Sequence, residues 1–350
     1  MSHYYTHRRR RPGSRNAVPR GGRWDHVFGV LDLGTNNCRL LVVRPSRNGF
    51  RVIDSFSRIV RLGEGVGQNG RLGDEAMDRT VGALKICAGK MKKRSVTLSR
   101  SVATAACRGA VNRSEFVARV ADETGIDLDI IGTGEEAQLA AAACSPLMDE
   151  DCETALIFDI GGGSTEIIWA CLCKGKLPEL IEWMSLPVGV ATLAETHGGR
   201  NVSACVYRRM VEDIEPRLAP FEASHNLRPE VEAGRTQMLG TSGTVTTLAA
   251  IKMGLRRYQR NVVDGAWLSA RDIHEVSAEL AAMACGERAR HPCIGKGRAD
   301  LVIAGCAIFE AIFRTWPAPR VRVADRGVRE GMLFHLMEAA DAAAAPAAHG

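Results

Sequence analysis

No stretch of this 350-residue chain is apolar for long enough to cross a bilayer, because charge interrupts every apolar run. The first 25 residues, "MSHYYTHRRRRPGSRNAVPRGGRWD", lack the apolar core that follows the basic residues of a secretory or twin-arginine leader. The eleven cysteines lack a metal pattern, since no CxxC is matched by a second one. Cys171 and Cys173 form a CxC, but on a strand both face one side, which is the geometry of packing. Scattered thiols in apolar surroundings, such as Cys87, Cys144 and Cys306, fit a reducing compartment, and a cytoplasmic protein is expected. Acids are scarce only at the start. Residues 1–25 hold seven of the 46 basic residues and one of the 40 acids, which leaves 39 of each for the remainder. The net charge of +6 is thus a property of the tail. An arginine-rich arm of this kind is either a solvated, disordered extension or an attractor for polyanions, nucleic acid included.

What is present is an ordinary soluble composition, 45% hydrophobic and 25% charged, on a chain long enough for two domains. Apolar strands alternate with amphipathic segments. "HVFGVLDLGTNNCRLLVV" (26–43) reads as two strands joined by a polar turn, and "FRVIDSFSRIVRLGEGV" continues the strand pattern. "GDEAMDRTVGALKICAGKMKK" has helical spacing and a basic end. "DLDIIGTGEEAQLAAAACS" reads strand, glycine turn, helix. The alternation predicts an α/β fold. After residue 150 the pattern restarts with "TALIFDIGGGSTEIIWACL", again strand, glycine turn, strand. The repeat predicts two related domains, 26–150 and 151–338, between a basic tail 1–25 and an alanine-rich tail 339–350.

The glycine turns carry the chemistry. In "DIGGGSTE" an apolar strand ends at Asp159. Gly161, Gly162 and Gly163 let the backbone approach a ligand, Ser164 and Thr165 add donors, and Glu166 closes the turn. Acids beside a phosphate cradle need a cation between them, and Mg²⁺ takes one or two carboxylates plus phosphate oxygens. The plain alternative is a tight hairpin with ordinary acids. "DLGTNN" repeats the design with Asp32, Gly34, Thr35, Asn36 and Asn37, and Arg39 follows as a bidentate phosphate ligand. "GTSGT" (Gly240, Thr241, Ser242, Gly243, Thr244) opens a helix, where the dipole favours anions. "TAACR" places Arg108 near another helix start, and "ADRGVREGML" offers Arg326, Arg329 and Glu330. "RLGEGV" is weaker by itself. So many glycine–hydroxyl turns after apolar strands point to more than one bound phosphate. Glu135 and Glu136 sit in the first turn of a helix. Capping accounts for Glu135. Glu136, just before an apolar stripe, is placed to reach a cleft and orient water.

In order, "DLGTNNCRL", "RLGEGV", "ATAACRGAVN", "GEEAQL", "DIGGGSTEI", "SLPVGVATL", "GTSGTVTTLAA", "RADLVIAG" and "VADRGVREGML" resemble the exopolyphosphatase/guanosine pentaphosphate phosphohydrolase (Ppx/GppA) family. The likeness runs from about residue 28 to about residue 336. That family shares the actin, Hsp70 and sugar kinase superfamily fold, so the resemblance implies two ribonuclease-H-like domains around a cleft. It implies release of a terminal phosphate from inorganic polyphosphate, or of the 5′ γ-phosphate of pppGpp. It further implies Glu136 as general base, Asp159 and Glu166 as Mg²⁺ ligands, hairpins 32–37 and 161–165 as phosphate cradles, and Arg39 and Arg329 as phosphate contacts. A homodimer is implied as well. The chain departs from the family in lacking the helical C-terminal region of the long members, in its arginine-rich tail, and in reading "GTNNC" where many relatives have "GSNS". Sugar kinases share the superfamily, and a non-catalytic ppGpp sensor is a further alternative. The trio Glu136, Asp159 and Glu166 favours hydrolysis over both.

Overall fold

The computed structural model describes residues 21–47, 49–149, 151–172 and 177–344. The arginine run, Cys173 and the last six residues lie outside the described residues. Two sheets form the frame. The first has the order β3-β2-β1-β4-β5, built from β1 (Phe28–Leu33), β2 (Asn37–Ser46), β3 (Gly49–Ile59), β4 (Leu98–Ala103) and β5 (Asp129–Ile130). Strands β1 to β3 are an antiparallel meander, and β4 and β5 continue parallel to β1. The second sheet repeats the plan. Its meander is β6 (Thr154–Ile160), β7 (Thr165–Cys171) and β8 (Glu179–Leu186), and β9 (Thr236–Thr241) and β11 (Arg320–Ala324) run parallel beyond β6. A short β10 (Trp267–Ser269) closes the edge, antiparallel to β11. The central strands β1 and β6 are buried almost throughout, as expected of strands covered on both faces.

The helices that build the frame of the site are α1 (Asp74–Lys93), α2 (Arg113–Thr124), α3 (Thr133–Cys144), α4 (Ala204–His225), α5 (Ser242–Lys252), α6 (Val302–Thr315) and α7 (Val328–Ala344). One face of the first sheet carries Leu31, Leu40 and Val42 against Val81, Leu84, Phe116 and Val120 of α1 and α2. One face of the second carries Leu156, Phe158 and Ile167 against α4, α5 and α6. The remaining faces are covered crosswise. Helix α7, from the end of the chain, lays Met332, Leu333 and Met337 on Phe28, Val30, Leu41 and Val43 of the first sheet. Helix α3, from the first half, lays Ala137, Ala140, Ala141 and Cys144 on Ala155, Ile157, Ile168 and Leu239 of the second. The two helices meet where Gly331 packs on Leu139, and a side-chain carbon at 331 would stand 2.0 Å from the Leu139 carbonyl oxygen. Each domain therefore borrows a helix from the other half of the chain, which brings the C-terminal ends of β1 and β6 face to face.

The tails are shorter than their composition suggests. Helix α7 continues through Ala344, with Ala340 buried, so residues 339–344 are its last turns. Residues Gly22–Asp25 form a 3₁₀ turn against it, fixed by an ion pair between Arg23 and Asp341. Among the described residues no helix is long and apolar enough to cross a membrane.

Candidate active site

The two strand–turn–strand repeats close in the same way. Gly34 donates its N–H to the Asn37 carbonyl and Gly161 donates to the Ser164 carbonyl, each at 2.9 Å. Their tips touch across the cleft, where a side-chain carbon at Gly163 would stand 2.6 Å from Thr35 Oγ1. Between and beyond them lies a cavity of about 350 Å³. Asp32, Gly34, Thr35, Asn36, Asn37 and Arg39 line it from the first domain. Asp159, Gly161, Gly162, Gly163 and Ser164 line it from the second, together with Thr241, Ser242, Gly243 and Thr244 at the start of α5. Ser242 holds a φ of 94°, in the left-handed region that disfavours a side chain, and its buried Oγ makes no hydrogen bond to protein. That leaves an unspent hydroxyl at a cavity-lining residue, on a helix N-terminus suited to anions.

The acids follow from the topology. Asp32 is the penultimate residue of β1 and pairs with Arg39 across the β1–β2 ladder, and Asp159 is the penultimate residue of β6 and pairs with Glu166 across the β6–β7 ladder. Glu136 reaches the cavity from the first turn of α3, and its Oε2 accepts from Arg108 Nη1 at 2.9 Å. Burial first, and then the neighbouring Glu166 charge, push its pKa up to about 8. Burial and the Glu136 charge lift Asp159 to about 7. Burial and Asp159 lift Glu166 to about 7 against the hydroxyls of Ser164 and Ser185, which donate to it at 2.7 and 2.9 Å. Burial also raises Asp32, although Arg39 and Arg329 pull it down. Several carboxylates thus crowd one cleft and oppose one another's ionisation.

Four of the residues read from the sequence stand one step back from the cavity wall. Arg108 donates from Nη1 to Glu136 and to the Ile131 carbonyl, and so anchors the acid. The Thr165 hydroxyl donates to the Val188 carbonyl. Gly240 lies under the Phe158 ring, where a side-chain carbon would come within 2.5 Å. Glu166 is buried behind Asp159 by its two serines. Glu135 pairs with Arg100 in solvent, as its capping position implied. Conversely, Arg298, read from the sequence only as the first residue of "RADLVIAG" and given no role there, lines the same cavity as Arg39. Burial and the Arg39 charge press its pKa down. It lies inside "GKGRADLV", a basic, glycine-spaced run with no hydroxyl to mark a phosphate turn. Tyr258, Ile294, Leu301 and Val302 add an apolar branch on the same side. Arg326 and Arg329 complete the basic wall. Asp264 holds Arg326, and buried Glu330 lies 3.9 Å from Arg329.

Duplicated three-strand meanders, tip-to-tip glycine hairpins and crossed helices define a two-domain, ribonuclease-H-like fold with the candidate site in its interdomain cleft. The chain belongs to the Ppx/GppA phosphatase family, whose family model matches residues 41–340, and is by class a phosphoanhydride hydrolase. It is 31% identical over 301 residues to Exopolyphosphatase 2 of Mycobacterium tuberculosis, an alignment covering 81% of this chain and 89% of that protein. Among solved structures it is similar to an exopolyphosphatase from Cytophaga hutchinsonii, with a TM-score of 0.80 at 24% identity over 89% of this chain and 98% of that one. It is also similar to the Aquifex aeolicus Ppx/GppA family member, with a TM-score of 0.73 at 26% identity, over 90% and 98% of the two chains.

Proposed function

We propose that the protein is a Mg²⁺-dependent exopolyphosphatase that removes the terminal phosphate of inorganic polyphosphate, with Glu136 activating the water. The observation that carries this reading is a buried carboxylate, held by one arginine, at the wall of the cavity that both glycine hairpins line. The terminal phosphoryl group would sit at the hairpin tips, where backbone N–H groups and the Thr35 hydroxyl offset its charge. Arg39, Arg298 and Arg329 would receive the phosphates further along the chain. Glu136 would accept the proton of the attacking water, and Arg108 would keep it from rotating away. Most of the rate comes from such positioning and electrostatics.

The donor set fits magnesium. Among the described residues no three His, Cys, Asp or Glu side chains form a metal cage. Mg²⁺ seldom uses one, since it binds through one or two carboxylates plus phosphate oxygens and water. Asp159 at the wall would hold it, with Glu166 behind, and it would screen the phosphate oxygens and the crowded acids.

A second reading, pppGpp as the substrate, has one observation in its favour. The apolar branch of Tyr258, Ile294, Leu301 and Val302 beside Arg298 could take a nucleoside. Initial rates of phosphate release with Mg²⁺ separate the two. A higher kcat/KM on long-chain polyphosphate is expected. A higher value on pppGpp would move the protein to the second reading, and binding of ppGpp with no turnover of either would make it a sensor.

A further inference from the structure

The two domains also touch outside the crossed helices and the hairpin tips. The segment after β3 backs the first hairpin. The N–H groups of Val60 and Arg61 donate to the Asn36 carbonyl at 2.9 and 3.0 Å, and Gly63 donates to the Thr35 carbonyl at 2.9 Å. Arg61 makes these bonds at a φ of 48°, a left-handed conformation uncommon for a non-glycine residue. Its guanidinium crosses to the second domain, where Nη2 donates to Asp300 Oδ1 and Oδ2 at 3.3 and 3.0 Å. Asp300 is itself fixed, because its carbonyl oxygen packs on Gly199, where a side-chain carbon would come within 1.9 Å. Its neighbours Arg298 and Leu301 line the phosphate cavity. Ile59 packs on Gly297 alongside, and a crevice of about 200 Å³ bounded by Thr35, Asn36, Arg61, Glu195 and Asp300 lies behind the hairpin.

We propose that the Arg61–Asp300 pair is an interdomain latch that holds the first phosphate hairpin in register with the second. One end of Arg61 is hydrogen-bonded to the hairpin and the other to Asp300 of the opposite domain, in the segment that lines the cavity with Arg298 and Leu301. The pair therefore fixes the separation of the two cradles without touching the substrate. Arg61 and Asp300 are positioning residues in this scheme. An ordinary surface ion pair would contribute almost nothing measurable. A latch acts on the population of the closed cleft, and apparent affinity falls in proportion to the closed fraction. Saturating phosphate chain would restore closure, so KM should change and kcat should not.

The test compares the full-length parent with Arg61→Ala, Asp300→Asn and the charge-reversed pair R61D/D300R. Long-chain polyphosphate and Mg²⁺ are used for kinetics, and small-angle scattering is measured on the substrate-free proteins. In the two single variants KM is expected to rise about tenfold, equivalent to about 1.4 kcal/mol, with kcat within about twofold. The free-state radius of gyration is expected to increase. The reversed pair is expected to return KM to within about threefold of the parent. If the reversed pair does not fold, Asp300→Glu, which keeps the charge, takes its place and should retain the parental KM. Single variants within about twofold of the parental KM, a loss that neither charge-restoring variant recovers, or an unchanged radius would overturn the latch. The kinetic arm rests on polyphosphate as substrate and the scattering arm does not. A protein inactive on polyphosphate whose Asp300→Asn form is enlarged would sink the substrate reading and leave the latch standing.

Discussion

Glu136 illustrates how much of the chemistry depends on one side chain's surroundings. A carboxylate in water has a pKa near 4.3, too weak a base for a water proton. Burial and the Glu166 charge lift this one to about 8. Glu136→Gln keeps the shape and the Arg108 contact while removing the base. Phosphate release should fall by about 10²–10⁴, with the melting temperature unchanged or higher, measured by initial rates beside thermal unfolding. Arg298 and Arg39 line one cavity, where burial and the Arg39 charge press the Arg298 pKa down. Arg298→Ala should raise KM for polyphosphate by roughly tenfold or more, as expected for a lost charge-assisted contact, and titration of the initial rate against chain concentration checks it. The glycine–hydroxyl turns were legible in the sequence because phosphate binding constrains residue type and spacing within a few positions. Arg298 was not, because its role depends on a loop returning to the cleft from about 260 residues beyond Arg39, and local spacing carries no trace of that.

At the scale of elements, the duplicated strand–turn–strand units were readable from periodicity alone. The partners of the helices were not. The stripe Ala137, Ala140, Ala141 and Cys144 says that one face of α3 is buried closely, and nothing in it says that the second sheet is what covers it. The same holds for α7, whose alanine-rich end reads as a tail by composition and is helix because Asp341 and Ala340 find partners near the chain start and the first sheet. The crossing of α3 and α7 depends on Gly331, which lies against the Leu139 backbone. Gly331→Ala improves intrinsic helix propensity, yet it should destabilise the protein by about 1–3 kcal/mol, the usual cost of overpacking. Denaturant unfolding would read this. A gain in stability would mean that the helices can slide apart without cost.

Across the whole molecule, the cleft concentrates acids that folding forces together. Glu136, Asp159 and Glu166 are raised to about 8, 7 and 7, so the cation-free folded protein binds protons that the unfolded chain releases. Their contribution is fully present below the unfolded carboxylate pKa of about 4 and is lost as pH rises through about 7–8. In the presence of a chelator the melting temperature should therefore fall between pH 5.5 and 8, and added Mg²⁺ should recover it most at the upper end. A melting temperature that climbs over that range would contradict the crowding. The catalytic limb runs the other way, because Glu136 must be ionised to act, so activity with Mg²⁺ should fall as pH drops, with its midpoint below the cation-free value because the cation screens the neighbouring acids. The measurement that tests the central claim most directly is phosphate release from long-chain polyphosphate with Mg²⁺, comparing the parent with Glu136→Gln and measuring polyphosphate binding to both. The account predicts steady release by the parent, and a rate at least about a hundredfold lower in the variant with binding retained. Release by the variant at a rate close to the parent's, or none by the parent, would contradict it.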